Sequence, residues 1–278
     1  MGYKTILTVL TDFERQKQQL DSAIAMTRRE DGHLDVFCMG VDHTQSGYYY
    51  AGASAYVFQE SIDKAMAAAG ELEEKVRDRL HAEDIRWSVD SAVAQVGGLS
   101  TLVGMRARYS DLVVLNRPYG DHATPDAEAA TEAALFEGAA PILIVPGELK
   151  EPFGKKILIA WNQSNEAMAS VRRALPLLQA AESVEITVID PSPNGPERSD
   201  PGGALGQMLT RHSVKAEISV LARTQPLISD ILNRRATEIG ADMVVMGAYG
   251  HSRFRQAILG GATRNMLEKA QVPVLMAR

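Results

Sequence analysis

The residues best suited to chemistry lie in the stretch DMVVMGAYGHSRFRQAILGGATRN, Asp242 to Asn265. Gly247 and Gly250 stand three apart, and the pair Gly260–Gly261 follows after nine intervening residues. The apolar run Met243–Met246 leads in, and Ala262, Thr263 and Arg264 open a helical run ending near Ala270. A buried strand, a glycine-marked loop and a helix start suit an anion, most often a phosphate chain. Glycine lets backbone N–H groups come close to the oxygens. The helix start adds unpaired N–H groups and a partial positive charge. His251, Arg253, Arg255 and Arg264 raise the local positive charge. The same order of elements also serves as a plain chain turn in α/β proteins, so both readings stand at this point.

Other chemistry is sparse. The chain has no GKS or GKT P-loop, no G-x-S-x-G elbow, and neither CxxC nor HExxH spacing. His212 and His251 are isolated in sequence, and their default roles are at a helix end and on a loop surface. Asp190 and Asp242 flank strand ends, where they could hold a magnesium ion, although a turn-forming or capping role is the commoner one. Phosphoryl transfer needs a positioned base or water and a charge clamp, and no base stands out. The single cysteine, Cys38, lies in an apolar strand-like run and reads as a core residue. Without a second cysteine there is no internal disulfide, which fits a cytoplasmic protein.

The elements that must position the glycines follow from periodicity. In the second half, strands are expected at 156–161, 184–189, 214–221, 242–246 and 273–277, with helices at 165–180, 203–212, 226–239 and 261–270. Ser164 precedes EAMASVRRALPLL as an N-cap, and Ala167, Val171, Ala174, Leu175 and Leu178 repeat at helical spacing. Apolar strands alternating with helices predict an α/β fold: a mostly parallel sheet with helices on both faces and right-handed crossovers. Ligands in such sheets sit beyond the carboxyl ends of the strands, where strand order reverses. With the first strand central, that crevice lies between Asn162 and Gly247.

The two halves read as copies. YKTILTVLTD (Tyr3–Asp12) matches GKKILIAWNQ (Gly154–Gln163), HLDVFCMGVD matches SVEITVID, and YSDLVVLNRPYG matches GADMVVMGAYG. A repeat of this length is a domain duplication, which fits 278 residues. The domains are expected at 1–147 and 154–278, joined by GELKEPF. Their charges differ: residues 1–147 carry 13 Lys+Arg against 22 Asp+Glu, and residues 148–278 carry 16 against 13. An anionic ligand favours the second half. In the first half Asn116, Arg117, Pro118 and Tyr119 replace the glycine turn. Asp121, Asp126, Glu128, Glu132 and Glu137 follow, with Glu128 near the place of Gly260. Carboxylates there would repel a triphosphate. Residues 191–203 read as a surface loop, and Tyr48, Tyr49 and Tyr50 at the same place in the first half roof a pocket, face a partner or pack on their own domain. The net charge of −6 argues against nucleic acid as a partner, no apolar run approaches the roughly 18 residues of a membrane span, and the N-terminus reads as a strand rather than a signal peptide.

These residues resemble the universal stress protein family in its tandem form, with two Rossmann-like domains of five strands each. The family signature G-x2-G-x9-G-[ST] is met by Gly247, Gly250 and Gly260, with Gly261 where a serine or threonine is usual and Thr263 two residues on. The resemblance implies ATP as ligand, with or without magnesium, at Ala160, Trp161, Asn162, Val188, Met246, Gly247, Gly250, His251, Arg253, Gly260, Gly261, Ala262 and Thr263. Ala160, Trp161, Val188 and Met246 would form the adenine slot, although Trp161 also suits a core position capping the sheet. Asn162 replaces the family's aspartate and keeps hydrogen-bonding capacity without the charge. The function implied is a nucleotide-dependent regulatory or protective module; a slow hydrolase or adenylyl-transfer enzyme, and a nucleotide-free scaffold, remain as alternatives. The last strands, Pro141–Pro146 and Pro273–Arg278, are expected to pair within the chain across an approximate two-fold axis, with further homodimerisation open.

Overall fold

The computed structural model describes residues 2–43, 55–120, 123–192, 199–249 and 261–278. They form two compact units, Gly2–Ala140 and Pro141–Arg278. The first unit runs β1 (Thr5–Leu10), α1 (Lys17–Glu30), β2 (His33–Asp42), α2 (Ala55–Leu80), β3 (Arg86–Gln95), α3 (Val96–Ala107), β4 (Leu112–Asn116) and α4 (Ala127–Phe136). The second runs β5 (Ile142–Val145), β6 (Lys156–Trp161), α5 (Asn165–Ala180), β7 (Ser183–Ile189), α6 (Gly203–Arg211), β8 (Ala216–Leu221), α7 (Ile228–Ile239), β9 (Met243–Gly247), α8 (Ala262–Lys269) and β10 (Val274–Ala277).

The first unit's strands lie in the order β3-β2-β1-β4, all parallel. The second unit orders its strands β5-β10-β9-β6-β7-β8, parallel except that β5 runs antiparallel to β10. The fifth strand counted from the N-terminus therefore belongs to the second compact unit, with Leu143 opposite Leu275. Ile142, Leu143 and Ile144 are buried, as are Val274, Leu275 and Met276. Such continuous apolar runs are what a strand covered on both faces requires.

Local chemistry starts and stops these elements. The Ser164 hydroxyl accepts the Ala167 N–H at 3.1 Å and caps α5. Gly240 ends α7 at φ 64°, the left-handed conformation open to glycine. Asp242 sits at the amino end of β9, where its carboxylate accepts the N–H groups of Lys155 and Lys156, both at 3.0 Å. Asp111 does the same before β4 for Lys4 and Thr5.

Alternation along the strands gives the second sheet two unlike faces. Ile186, Val188 and Ile218 face the start of α6: a Cβ on Gly202 would meet their methyl groups at 3.2, 3.5 and 3.6 Å. On the opposite face β7 carries Glu185 and Thr187 and meets α7, whose Arg235 grips Glu185 through two bonds of 2.9 and 2.7 Å. Burial pushes the Glu185 carboxyl up, but hydrogen bonds from Arg235, Thr187 and Ser219 outweigh it and hold the group ionised, below its usual range. In the first unit, burial, with Glu73 adding to it, pushes the Cys38 thiol up to about 12, so Cys38 is an inert core residue. No helix among the described residues is long and apolar enough to cross a membrane.

Candidate functional site

From β6 the chain moves out through β7 to β8, then returns to β9 on the other side of β6. The carboxyl ends of β6 and β9 therefore flank the place where strand order reverses. Asn162 directly follows β6, and Gly247 is the last residue of β9, with Ala160 and Met246 as register partners between them. A Cβ at Gly247 would fall 2.5 Å from the Ala167 nitrogen and 2.7 Å from the Glu166 carbonyl carbon. The glycine thus lets the first turn of α5 lie against the end of β9. One turn on, the buried Ser170 hydroxyl ties two strand ends: it donates to the Met246 carbonyl at 2.8 Å and accepts the Ala277 N–H at 2.7 Å.

The other wall is the start of α8. Gly261 is its N-cap in extended conformation, without a side chain to occupy the helix end, and no acidic residue stands in the first turn. The buried Thr263 hydroxyl accepts the Tyr249 N–H at 3.0 Å, fixing the chain two residues beyond β9. Tyr249 holds φ 55° there and is itself buried. Among the described residues, the start of α8 thus presents a positive dipole end with no acidic residue in its first turn.

Nine of the thirteen expected site residues are described; Gly250, His251, Arg253 and Gly260 lie outside the described residues, as do Arg255 and Tyr48–Tyr50. Asn162, Gly247, Gly261, Ala262 and Thr263 come to the strand ends and helix start as expected. The four slot residues divide between two faces. Ala160 and Met246 share the face toward α7, whereas Trp161 and Val188 are partners on the face toward α6. Val188 packs beneath the start of α6, its Cγ2 3.5 Å from where a Cβ of Gly202 would be, so it is core there. Neighbouring residues of one strand point to opposite sides of the sheet, and Ala160 and Trp161 cannot line one side of a slot with their side chains. Trp161 is 6% exposed, and its indole N–H finds no acceptor among the described residues. The Asn162 side-chain oxygen accepts the Ser164 N–H at 3.1 Å and shapes the turn into α5. As a magnesium ligand at this crevice Asp242 is excluded by place, since it caps the opposite ends of the strands. Asp190, exposed at φ 49° after β7, has the conformation of a turn residue.

The equivalent place in the first unit is shut by two residues that periodicity alone did not single out. Gln16 and Gln19 stand six and nine residues after the end of β1, as Ala167 and Ser170 do after β6. The Gln16 side-chain oxygen accepts the N–H groups of Thr11 (2.7 Å) and Asp12 (2.9 Å). That of Gln19 accepts the Asn116 N–H at 2.9 Å, while its amide donates to the Val9 carbonyl at 2.7 Å. The strand-end N–H groups that a ligand would use are already taken. What remains is a cavity of about 10 Å³ between the glutamines, Thr124 and Asp126, space for about one water.

Helix α4 deepens the contrast. Counted back from Pro141 and Pro273, Thr131 and Thr263 are each ten residues earlier, and both are buried. In that frame α4 begins three residues before α8 does, and Glu128 takes the place of Gly260. Thr131 bonds back to the Ala127 carbonyl at 2.8 Å instead of holding a loop. Asp126, the N-cap of α4, is buried, which pushes its carboxyl up, with His43 at 3.5 Å pulling the other way.

Residues 154–278 match the family model for the Universal stress protein family. Residues 154–278 of the second unit are thus similar to a universal stress protein domain. A curated relative, Universal stress protein Slr1230 of Synechocystis sp., is 25% identical over 143 residues, which is 50% of this chain and 47% of that protein. The match thus spans about half the length of that relative. The crystal structure of a universal stress protein from Archaeoglobus fulgidus DSM 4304 superposes with a TM-score of 0.70, covering 99% of this chain and 96% of that one at 14% identity. At that identity the likeness shows the fold, a Rossmann-like α/β architecture along the chain.

Proposed function

We propose that this tandem universal stress protein binds ATP, with or without magnesium, at the switch point of its second unit, and that occupancy rather than turnover sets its state as a regulatory or protective module. One observation carries the reading. The same topological position is plugged by Gln16 and Gln19 in the first unit. In the second, among the described residues, it has Ala167, Ser170 and an N-cap glycine with no acidic residue in the first turn that follows. Loss of the usual hydroxyl at Gly261 costs about one hydrogen bond, on the order of 1 kcal/mol, and leaves the backbone donors in place. The first unit acts as a structural partner.

Gly261→Asp tests this reading. It places at α8 the carboxylate that Asp126 places at α4, on backbone angles that suit an aspartate cap. Millimolar ATP is expected to raise the melting temperature of the wild type, without ADP or AMP accumulating. The variant should melt no lower than the wild type but lose the ATP-dependent shift. No shift in the wild type would leave the scaffold reading standing, and product release abolished by the variant would favour a hydrolase.

A further inference from the structure

At the amino end of the second unit's sheet, away from the switch point, Lys156 and Ser183 are register partners on β6 and β7. Lys215 precedes Ala216, which pairs with Val184, so it continues the same rung across a third strand. Rung partners in parallel strands point to one face about 4.8 Å apart. Two lysine side chains therefore leave the sheet on either side of one serine side chain. They line a cavity of about 420 Å³ whose far side carries Glu185, Arg235 and Glu217, a volume that suits a small molecule.

The floor of this cavity is already fixed. Arg235 is held by Glu185 and by the Ser219 hydroxyl at 3.1 Å, and Thr187 donates to Glu185 at 2.9 Å. At the rim, Glu182 is paired with Lys155 at 3.3 Å. Among the described residues this leaves Lys156 and Lys215 without an acidic partner, and Glu217 without a basic one. Like charges on one rung repel unless an anion sits between them. A tetrahedral oxyanion of charge near −2 matches two ammonium groups and a hydroxyl better than a single carboxylate does. Glu217, one register step of two residues further along, suits a ligand that carries an ammonium or hydroxyl donor beside its phosphate.

We propose that this cavity binds a small phosphorylated amine or alcohol, its phosphate held by Lys156, Ser183 and Lys215 and its donor group by Glu217. The site is separate from the switch-point crevice and does not depend on nucleotide binding there.

Amide NMR spectra of the full chain, titrated with inorganic phosphate and then with phosphoethanolamine at constant ionic strength, test it. Saturable shifts are expected at Ser183, Lys215 and Ala216. Lys156→Gln with Lys215→Gln should weaken both probes by about tenfold or more. Glu217→Gln should weaken phosphoethanolamine alone. Three results would overturn the site: shifts that never saturate, shifts confined to the α8 start at Gly261–Thr263, or unchanged affinity in the double-lysine variant.

Discussion

Gly247 shows how one residue type can answer two demands. By sequence it opens the phosphate-type turn, and in the fold its missing side chain is the space into which the α5 backbone fits, at 2.5 Å from a notional Cβ. Neither contact atom is the movable end of a side chain, so the helix itself would have to shift. Gly247→Ala should therefore lower unfolding stability by about 1–3 kcal/mol, the usual range for forcing extra atoms into a packed site. Urea unfolding of wild type and variant measures it, and equal midpoints would show that α5 can move to make room. Asp126 makes a different demand. Burial raises its folded pKa above the unfolded value, with His43 opposing more weakly. Relative to the unfolded chain, folding thus favours the neutral acid. Its contribution to stability is complete below the unfolded pKa of about 3.9 and is lost as pH rises through the higher folded value. Asp126→Asn should accordingly be more stable than wild type at pH 7, with the gain fading as pH falls toward 3. Urea midpoints across that range follow the crossover, and a variant no more stable at pH 7 would contradict the sign.

At the scale of elements, the strands and helices around the site were legible because each carries its own period. The expected β6 at 156–161 and α5 at 165–180 match Lys156–Trp161 and Asn165–Ala180. What sequence could not supply was which side of the sheet each strand-end residue faces relative to its neighbours. Trp161 and Ala160 are adjacent in sequence yet belong to opposite layers, and Lys156, Ser183 and Lys215 become one rung only once three strands share a register. The glutamine plug was hidden for a similar reason. Gln16 and Gln19, three apart on the first turn of a helix, look like solvated polar residues until the strand ends are seen to lie under them. Both are buried. Gln19→Leu keeps the bulk but removes the acceptor of the Asn116 N–H and the donor to Val9. Leaving such groups unpaired should cost about 1–3 kcal/mol. Ser170→Ala, which removes the hydroxyl bridging Met246 and Ala277, should cost a comparable amount. Thermal melts of the two variants compare them, and a Gln19→Leu protein as stable as wild type would mean that water replaces the plug.

On the scale of the whole chain, the two compact units differ in the helix that follows their second parallel strand. The first has a 26-residue α2, whereas the second has a nine-residue α6 in the equivalent place. The long helix packs on β2 and β3, while the short one leaves Ile218 and Val220 of β8 among the exposed apolar residues. The family model begins at residue 154, but the compact second unit begins at Pro141, because β5 pairs with β10. A fragment cut at 154 therefore loses three antiparallel rungs, Ile142, Leu143 and Ile144 against Met276, Leu275 and Val274. It also leaves the backbone donors and acceptors of β10 open along an apolar edge, which invites pairing with a second copy. Fragment 154–278 should melt several degrees below fragment 141–278, since 1 kcal/mol corresponds to about 4 °C in a domain of this size. It should also sediment as a larger species at the same concentration. Differential scanning calorimetry and analytical ultracentrifugation on the two fragments decide the matter. Equal melting and equal mass would show that β5 is dispensable to the second unit, and that the boundary of the family domain is also its physical boundary.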